Sequence, residues 1–288
     1  MTYENQPSPS SEDYTPPALG TPDVPLSRPV SMEFVRTVDD QPLLLRPYSR
    51  TGCFVEILAL AAALLMAESV IPPIVAAVMG LDIPNDPPPE FLQKLIVPVI
   101  ALRACVAVLV IAAIASIRQQ SAASLGIRSN RIAVDIGIGI AATIGIYIVG
   151  VIVQLMMMAL WPDMLKQLDQ NADQLLDLLP RMSFFQSAML MLMVGVYEEL
   201  VFRGFLLGRL RRMTGSWTAA VLISTAIFAA LHAFDQVPLA LVLISFLSLA
   251  FSLLTIWRRS LIPAIVAHAA FNFSQMILME FLRDQTTR

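Results

Sequence analysis

The feature that most constrains this chain is a series of apolar runs that recur from Cys53 onward. Each run is close to or above the roughly 20 residues that a helix needs to cross a bilayer. Hydrophobic residues make up 57% of the chain and charged residues 14%, whereas soluble domains carry about 25% charged residues. We therefore predict an all-α fold: a polytopic membrane helix bundle with about seven transmembrane helices. The predicted spans are 53–79, 91–117, 132–160, 183–208, 216–233, 238–257 and 260–281.

The N-terminal region differs in composition from the spans. Residues 1–51 are rich in Pro, Ser, Asp and Glu, a composition that buries too little apolar surface to fold by itself. They also lack the basic start and apolar core of a secretory signal peptide. We predict a disordered cytoplasmic tail over 1–51, N-terminal membrane helices over 52–130, a membrane core over 131–282 and a short tail over 283–288.

Arginine residues mark alternate connections between the spans, and this pattern predicts the orientation. Cytoplasmic loops carry an excess of Lys and Arg, whereas the connection 80–90 has neither, and 161–182 has four Asp residues against Lys166 and Arg181. Apolar positions in 164–179 predict an amphipathic helix on the outer membrane surface. We predict an integral multi-pass protein of a bacterial cytoplasmic membrane, with its N-terminus inside. The basic residues of the predicted inner side are Arg46, Arg50, Arg118, Arg128, Arg131, Arg209, Arg211, Arg212, Arg258 and Arg259.

Three ionisable residues lie together in the fourth predicted span. Glu199 and Arg203 are four apart, so on a helix they share a face and can pair. Glu198 is rotated by about 100° and is left without that partner. Ionisable residues inside a membrane are costly and usually mark function. The sequence therefore predicts that Glu198 is a general base and that the Glu199–Arg203 pair supports it.

Both histidines of the chain, His232 and His268, lie in later predicted spans, and His268 shares a helix face with Asn272. Together with Glu198 these groups suit the attack of water on a carbonyl, with proton transfer to the glutamate and hydrogen bonds to the oxyanion. A rise of about 1.5 Å per residue places Glu198, His268 and Asn272 near mid-membrane. The same count places His232 farther toward the outer surface.

The residue types leave a metal mechanism open. Glu198, His232 and His268 are also a donor set that could hold Zn²⁺ and leave a position for water, although the HExxH motif is absent. The predicted cofactor is therefore either none or zinc. Cys53 and Cys105 lie in apolar runs and do not indicate a disulfide framework or a metal cluster.

Three motifs, in the same order and each in a predicted membrane helix, resemble the signature of the CPBP family. That family includes the type 2 CAAX prenyl proteases, also called the Abi family, and bacteriocin-processing relatives. The similarity covers roughly 130–275, so it implies that the core 131–282 is a CPBP/CAAX-protease-like membrane core. The motifs are Glu198-Glu199-x-x-x-Arg203, Phe228-x-x-x-His232 and His268-x-x-x-Asn272.

The resemblance implies an intramembrane endopeptidase whose substrate is a hydrophobic or lipid-anchored peptide, of which a prenylated CAAX-type peptide is one form. It implies that Glu198 is the base, that His232 helps to activate water, and that His268 and Asn272 form the oxyanion hole. Family members have been described both as metalloproteases and as glutamate-dependent enzymes, so zinc stays open. The implied catalytic residues are Glu198, Glu199, His232, His268 and Asn272, and the supporting residues are Arg203 and Phe228.

The alternative from another functional class is a non-enzymatic membrane protein, either a transporter or a bacteriocin-immunity binding protein. A transporter typically shows internal symmetry or interrupted helices in matching halves, and the sequence shows neither. Net charge −3 gives no reason to expect a nucleic-acid partner. The predicted partners are therefore a peptide substrate and membrane lipid. Of the other charges near the spans, Glu56 and Arg103 are predicted to snorkel or pair, and Glu68 to line a cavity.

Overall fold

The computed structural model describes residues 49–127, 131–161, 180–233 and 238–286. These residues form a helical bundle, which confirms the predicted fold class. The predicted tail, except for 49–51, and the predicted amphipathic helix at 164–179 lie outside the described residues. In chain order, the elements are α1 (Arg50–Val78), α2 (Pro89–Ile117), a 3₁₀ turn (Ala122–Leu125), α3 (Ile132–Leu160), α4 (Phe184–Glu199), a π-helical segment (Leu200–Leu206), α5 (Leu207–Thr214), α6 (Trp217–His232), α7 (Pro238–Arg258) and α8 (Ile262–Thr286).

Most of these helices have the length and composition of membrane spans. α6 is a shorter apolar helix. The longer apolar helices, whose bounds are given at the end of this paragraph, support an integral membrane protein. α1 continues through Pro72 and Pro73 without ending. The stretches that are long and apolar enough to cross a membrane are Arg50–Val78, Pro89–Ile117, Ile132–Leu160, Ala240–Arg258 and Ile262–Phe281.

The predicted fourth span is one helix with a change of pitch in the middle. α4, the π-helical segment and α5 follow one another without a break, and we call them together the Glu198 helix (residues 184–214). Ser183 begins it with a capping box, because its hydroxyl accepts from the backbone N–H of Gln186 while the Gln186 side chain accepts from the Ser183 backbone. Gly215, in the left-handed conformation, ends it. This helix runs past residue 208, the predicted end of the fourth span, into the arginines.

A buried ion cluster joins three helices near the start of α1. Glu56 of α1 accepts from Arg118, at the end of α2, over 2.7 Å and from Arg209 of α5 over 2.8 Å. Arg209 is 1% exposed, and it also donates to Gln120. Glu56 is therefore paired. Pairing is one of the two alternatives, snorkelling or pairing, that the sequence predicted for it.

The remaining helices meet at the same end. Asp135, at the start of α3, accepts two hydrogen bonds from Arg258, at the end of α7. The 3₁₀ turn that follows α2 is joined to the start of α8 by a 2.9 Å bond from the Leu261 N–H to the Gly126 carbonyl. The arginine-bearing connections therefore gather at one end of the bundle.

Two glycines let neighbouring helices approach α8 closely. A Cβ on Gly139 of α3 would lie 2.6 Å from Val266 Cβ and 2.8 Å from the Pro263 carbonyl oxygen. A Cβ on Gly195 of α4 would lie 3.1 Å from the Ala269 nitrogen. Small residues at helix interfaces allow such close backbone contact in membranes. α8 is therefore held between α3 and α4 on either side of His268.

We expect Gly139→Ala to destabilise the bundle by about 1–3 kcal/mol, the usual cost of overpacking a tight contact. The matched control is Gly145→Ala in the same helix, because a Cβ at Gly145 meets nothing within 4 Å. Thermal unfolding of the purified protein in detergent measures both. Equal melting temperatures for the two variants would contradict the close packing of α3 on α8.

Candidate active site

The two adjacent glutamates lie at the point where the Glu198 helix changes from α to π geometry. Glu198 and Glu199 are the last residues of α4, and the π-helical segment begins at Leu200. Such segments are rare and are frequent at functional sites. Glu199 and Arg203 are both fully buried, and Arg203 Nη1 donates to Glu199 Oε1 over 2.7 Å. The pairing predicted from their spacing is thus present.

Arg203 is surrounded by further partners on two other helices. Its Nη2 donates to the Ser248 carbonyl (2.8 Å) and hydroxyl (2.9 Å), and its Nε donates to the Ser252 hydroxyl (3.3 Å). Its guanidinium carbon lies 5.0 Å from the ring centre of Phe228 and 5.5 Å from that of Phe251. A buried cation needs this many hydrogen bonds and ring contacts to offset its lost hydration. Arg203 thereby fixes the Glu198 helix to α6 and α7.

His268 lies between the two glutamates. Its Nδ1 is 2.8 Å from Glu199 Oε1, and its Nε2 is 3.8 Å from Glu198 Oε2. Because a carboxylate only accepts, Nδ1 carries a proton and donates it to Glu199. The imidazole also stacks on Phe251, with ring centres 5.0 Å apart and 18° between the planes. Glu199 and Phe251 together orient the ring so that Nε2 faces Glu198.

Glu198 is the accessible member of the glutamate pair. Its side chain is 14% exposed, whereas that of Glu199 is 0% exposed. The Tyr197 hydroxyl donates to Glu198 Oε1 over 3.1 Å. This contact leaves Oε2, the oxygen nearer to His268, to act on another molecule.

The sequence reasoning did not identify Tyr197, Ser248 or Ser252 as parts of the site. Tyr197 lies directly before the glutamates, and this adjacency was the available indication. Ser248 and Ser252 are four residues apart on α7, so they share a helix face. That spacing alone does not identify their partner, which is 45 to 49 residues away in the chain.

His232 lies on α6, beyond the ring contact with Phe228. Its Nδ1 is hydrogen-bonded to the Phe228 carbonyl over 2.8 Å, and the two rings are 4.7 Å apart. Glu199 lies about four helical turns before Thr214, and His232 about four turns after Trp217, with a short turn between. The two residues are therefore at similar depth. The count that placed His232 farther out ended the Glu198 helix at 208, whereas the helix continues to Thr214.

Asn272 lies one turn after His268 on α8, so both face the same side. It is half-buried, and it makes no hydrogen bond within the described part of the chain. Tyr147 of α3 holds the next turn: its hydroxyl accepts from Gln275 Nε2 over 2.9 Å and is hydrogen-bonded to the Ser274 hydroxyl. The Asn272 amide is thus held on a fixed helix with its donors available.

The described residues do not form the alternative zinc ligand set. No group of three or more His, Cys, Asp or Glu side chains in the described ranges is arranged to hold a metal ion. His268 contacts both glutamates, whereas His232 is hydrogen-bonded to the Phe228 carbonyl of its own helix. Glu198, His232 and His268 are therefore not drawn together as ligands in this conformation.

Comparison with known protein families gives a match to the second half of the chain. Residues 180–274 match the family model of the type II CAAX prenyl endopeptidase Rce1-like proteins. No curated protein and no solved structure matches the chain. The matched segment starts after α3 and includes every residue of the three motifs. The resemblance to the CPBP family of CAAX proteases is thereby confirmed, over the segment that carries the whole candidate site.

Proposed function

We propose that this protein is an intramembrane endopeptidase that hydrolyses a peptide bond of a membrane-associated substrate, of which a prenylated CAAX-type peptide is one form. The observation that carries the proposal is the arrangement of Glu198 and His268. An accessible carboxylate faces an imidazole nitrogen at 3.8 Å, and a buried second carboxylate orients that imidazole. The family match supports a protease over a transporter or an immunity protein.

The distance between Glu198 and His268 suits a water molecule held by both. A gap of 3.8 Å is longer than a direct hydrogen bond, and polar groups at such distances commonly share a water. Glu198 takes a proton from this water as its oxygen attacks the carbonyl carbon of the peptide bond. The carbon–nitrogen bond then breaks, and Glu198 returns the proton to the leaving amine.

The negative charge that develops on the carbonyl oxygen needs donors. Once the water has attacked, a His268 ring that carries a proton on each nitrogen donates through Nδ1 to Glu199 and through Nε2 to this oxygen. The Asn272 amide, one turn away, is the second donor. In this scheme His232, at the depth of Glu199 on α6, helps to hold the water.

We propose that Glu199 is a positioning residue and not a group that touches substrate. It is 0% exposed, and its Oε1 already accepts from both Arg203 and His268. The proposed supporting roles of Arg203 and Phe228 rest on the Arg203–Glu199 pair and on the contact of the Phe228 ring with the Arg203 guanidinium. We also propose that the arginine-bearing end of the bundle faces the cytoplasm, in accordance with the positive-inside rule, and that 131–282 is the protease core.

A cleavage assay tests the proposed activity. The purified protein is reconstituted in vesicles with membrane-anchored peptides, with and without a prenyl group, and the products are identified by mass spectrometry. We expect two fragments whose summed mass exceeds that of the peptide by one water. Intact peptides after prolonged incubation, with the protein shown to be folded, would contradict an endopeptidase.

A further inference from the structure

A second ion pair lies in the apolar part of the bundle, outside the three motifs and outside the matched segment. Arg103 is at the middle of α2, and it pairs with Glu68 of α1. The sequence predicted that Arg103 would snorkel or pair and that Glu68 would line a cavity. A guanidinium at this depth is costly and usually marks either a structural pair or a functional site.

The exposure of the two partners distinguishes this pair from a buried structural pair. The side chain of Arg103 is 28% exposed and that of Glu68 is 57% exposed. In contrast, Glu199 and Arg203 are both 0% exposed. Because Glu68 is more than half exposed, fewer protein groups hold it in place than hold the fully buried Glu199. Arg103 is therefore held by a carboxylate that another carboxylate can replace.

Arg103 also has an unused donor. Its Nε is buried and has no hydrogen-bond partner in the described part of the chain. A guanidinium presents its N–H groups in a planar fork that matches the two oxygens of a carboxylate. The pair with Glu68 does not use this fork fully, since Nη2 is the nitrogen that contacts Glu68.

Arg103 is close to the candidate site. α2 packs against α4, which carries Tyr197 and Glu198. Val97 and Ile100 of α2 pack against a cluster that contains Leu190 and Met191 of α4, and Arg103 follows Ile100 by about one turn. This packing places α2, and with it Arg103, beside the helix that carries Tyr197 and Glu198.

We propose that Arg103 binds the C-terminal carboxylate of the peptide substrate, in place of Glu68. The proposal rests on the proposed endopeptidase function and names a specificity residue for it. A peptide end drawn into an apolar site keeps the charge of its terminal carboxylate, and that charge needs a cation. Arg203 cannot serve, because each of its three nitrogens already donates to the protein.

The test compares two peptides that differ only at the C-terminus, one with a free carboxylate and one with an amide. The readout is the ratio of their kcat/KM values with the full-length protein in vesicles. We expect the wild type to prefer the free acid by roughly tenfold or more, the usual effect of a charged hydrogen bond. In Arg103→Gln the ratio should fall toward one, through a higher KM for the acid peptide.

Three further variants make the test specific. Arg103→Lys keeps the charge but not the fork, so it should retain part of the preference. Glu68→Gln removes the competing carboxylate, so it should increase the preference. The control is Arg258→Gln, which breaks the ion pair with Asp135 between α7 and α3. It should leave the ratio unchanged.

Several results would overturn the proposal. One is a wild type that cleaves both peptides equally, and another is an Arg103→Gln variant that keeps the wild-type ratio. Equal loss of cleavage of the acid and the amide peptide would show that Arg103 only joins α1 to α2. A loss that depends on anionic lipid and not on the peptide terminus would assign it to a lipid phosphate. Failure of this proposal alone leaves peptide cleavage intact, whereas failure of the proposed function removes cleavage of both peptides.

Discussion

Replacement of Glu198 by Gln is expected to reduce peptide cleavage by about a hundredfold to ten-thousandfold, the range that a general base contributes. The amide has the shape of the carboxylate and can still accept the hydrogen bond from Tyr197. It cannot take a proton from water. Since Glu198 is 14% exposed and Arg203 pairs with Glu199 instead, the substitution should leave the fold intact.

Cleavage rates and melting temperatures, measured on the same preparations, check this prediction. The matched control is Glu280→Gln on α8, which removes a carboxylate that pairs with Arg283 and is 25% exposed. It should retain wild-type cleavage. Treatment of the wild type with a chelator, followed by metal analysis, is the accompanying test of zinc. A folded Glu198→Gln variant with wild-type activity would remove Glu198 from the mechanism.

Replacement of Arg203 by Met is expected to destabilise the protein by about 3–5 kcal/mol, because it leaves a buried carboxylate without its cation. Glu199 is 0% exposed, and His268 would remain as its hydrogen-bond partner. The double variant Glu199→Gln, Arg203→Met removes both charges, so it should recover part of the lost stability. It should not recover activity, since the amide no longer orients His268 as a carboxylate does.

Unfolding of the two variants and of the wild type in denaturant or by heat measures the effect. The ion pair of Arg258 with Asp135 is the comparison, because the Arg258 side chain is 20% exposed and retains more of its hydration. Arg258→Gln should therefore cost less than Arg203→Met. If the double variant were less stable than Arg203→Met alone, the buried pair would not be the cause of the loss.

Local patterns in the sequence were sufficient to predict the helices and the pairing within the first motif. Apolar runs of membrane length determine where helices form, and a spacing of four determines that Glu199 and Arg203 share a face. Both depend on neighbours along the chain. The same spacing indicates that Glu198, which does not share that face, is the glutamate that does not pair with Arg203.

Contacts between distant segments could not be predicted in the same way. Ser248 and Ser252 bind Arg203 because α7 packs on the Glu198 helix, and nothing in their own surroundings in sequence encodes that packing. The depth of His232 depends on where the preceding helix turns, which is six residues beyond the end that hydropathy suggested. The arrangement of His268 between two glutamates likewise requires α8 to lie against α4.

The ion cluster of Glu56 has a consequence for engineering. α1 lies outside the family match, yet its Glu56 supplies the carboxylate for Arg209, which is 1% exposed in the helix that carries the glutamates. A minimal fragment cut at the start of the matched segment would remove Glu56, and with it a carboxylate that accepts from this guanidinium. Chimeras that exchange this protein's core with a relative's should therefore transfer the first two helices with it as one module.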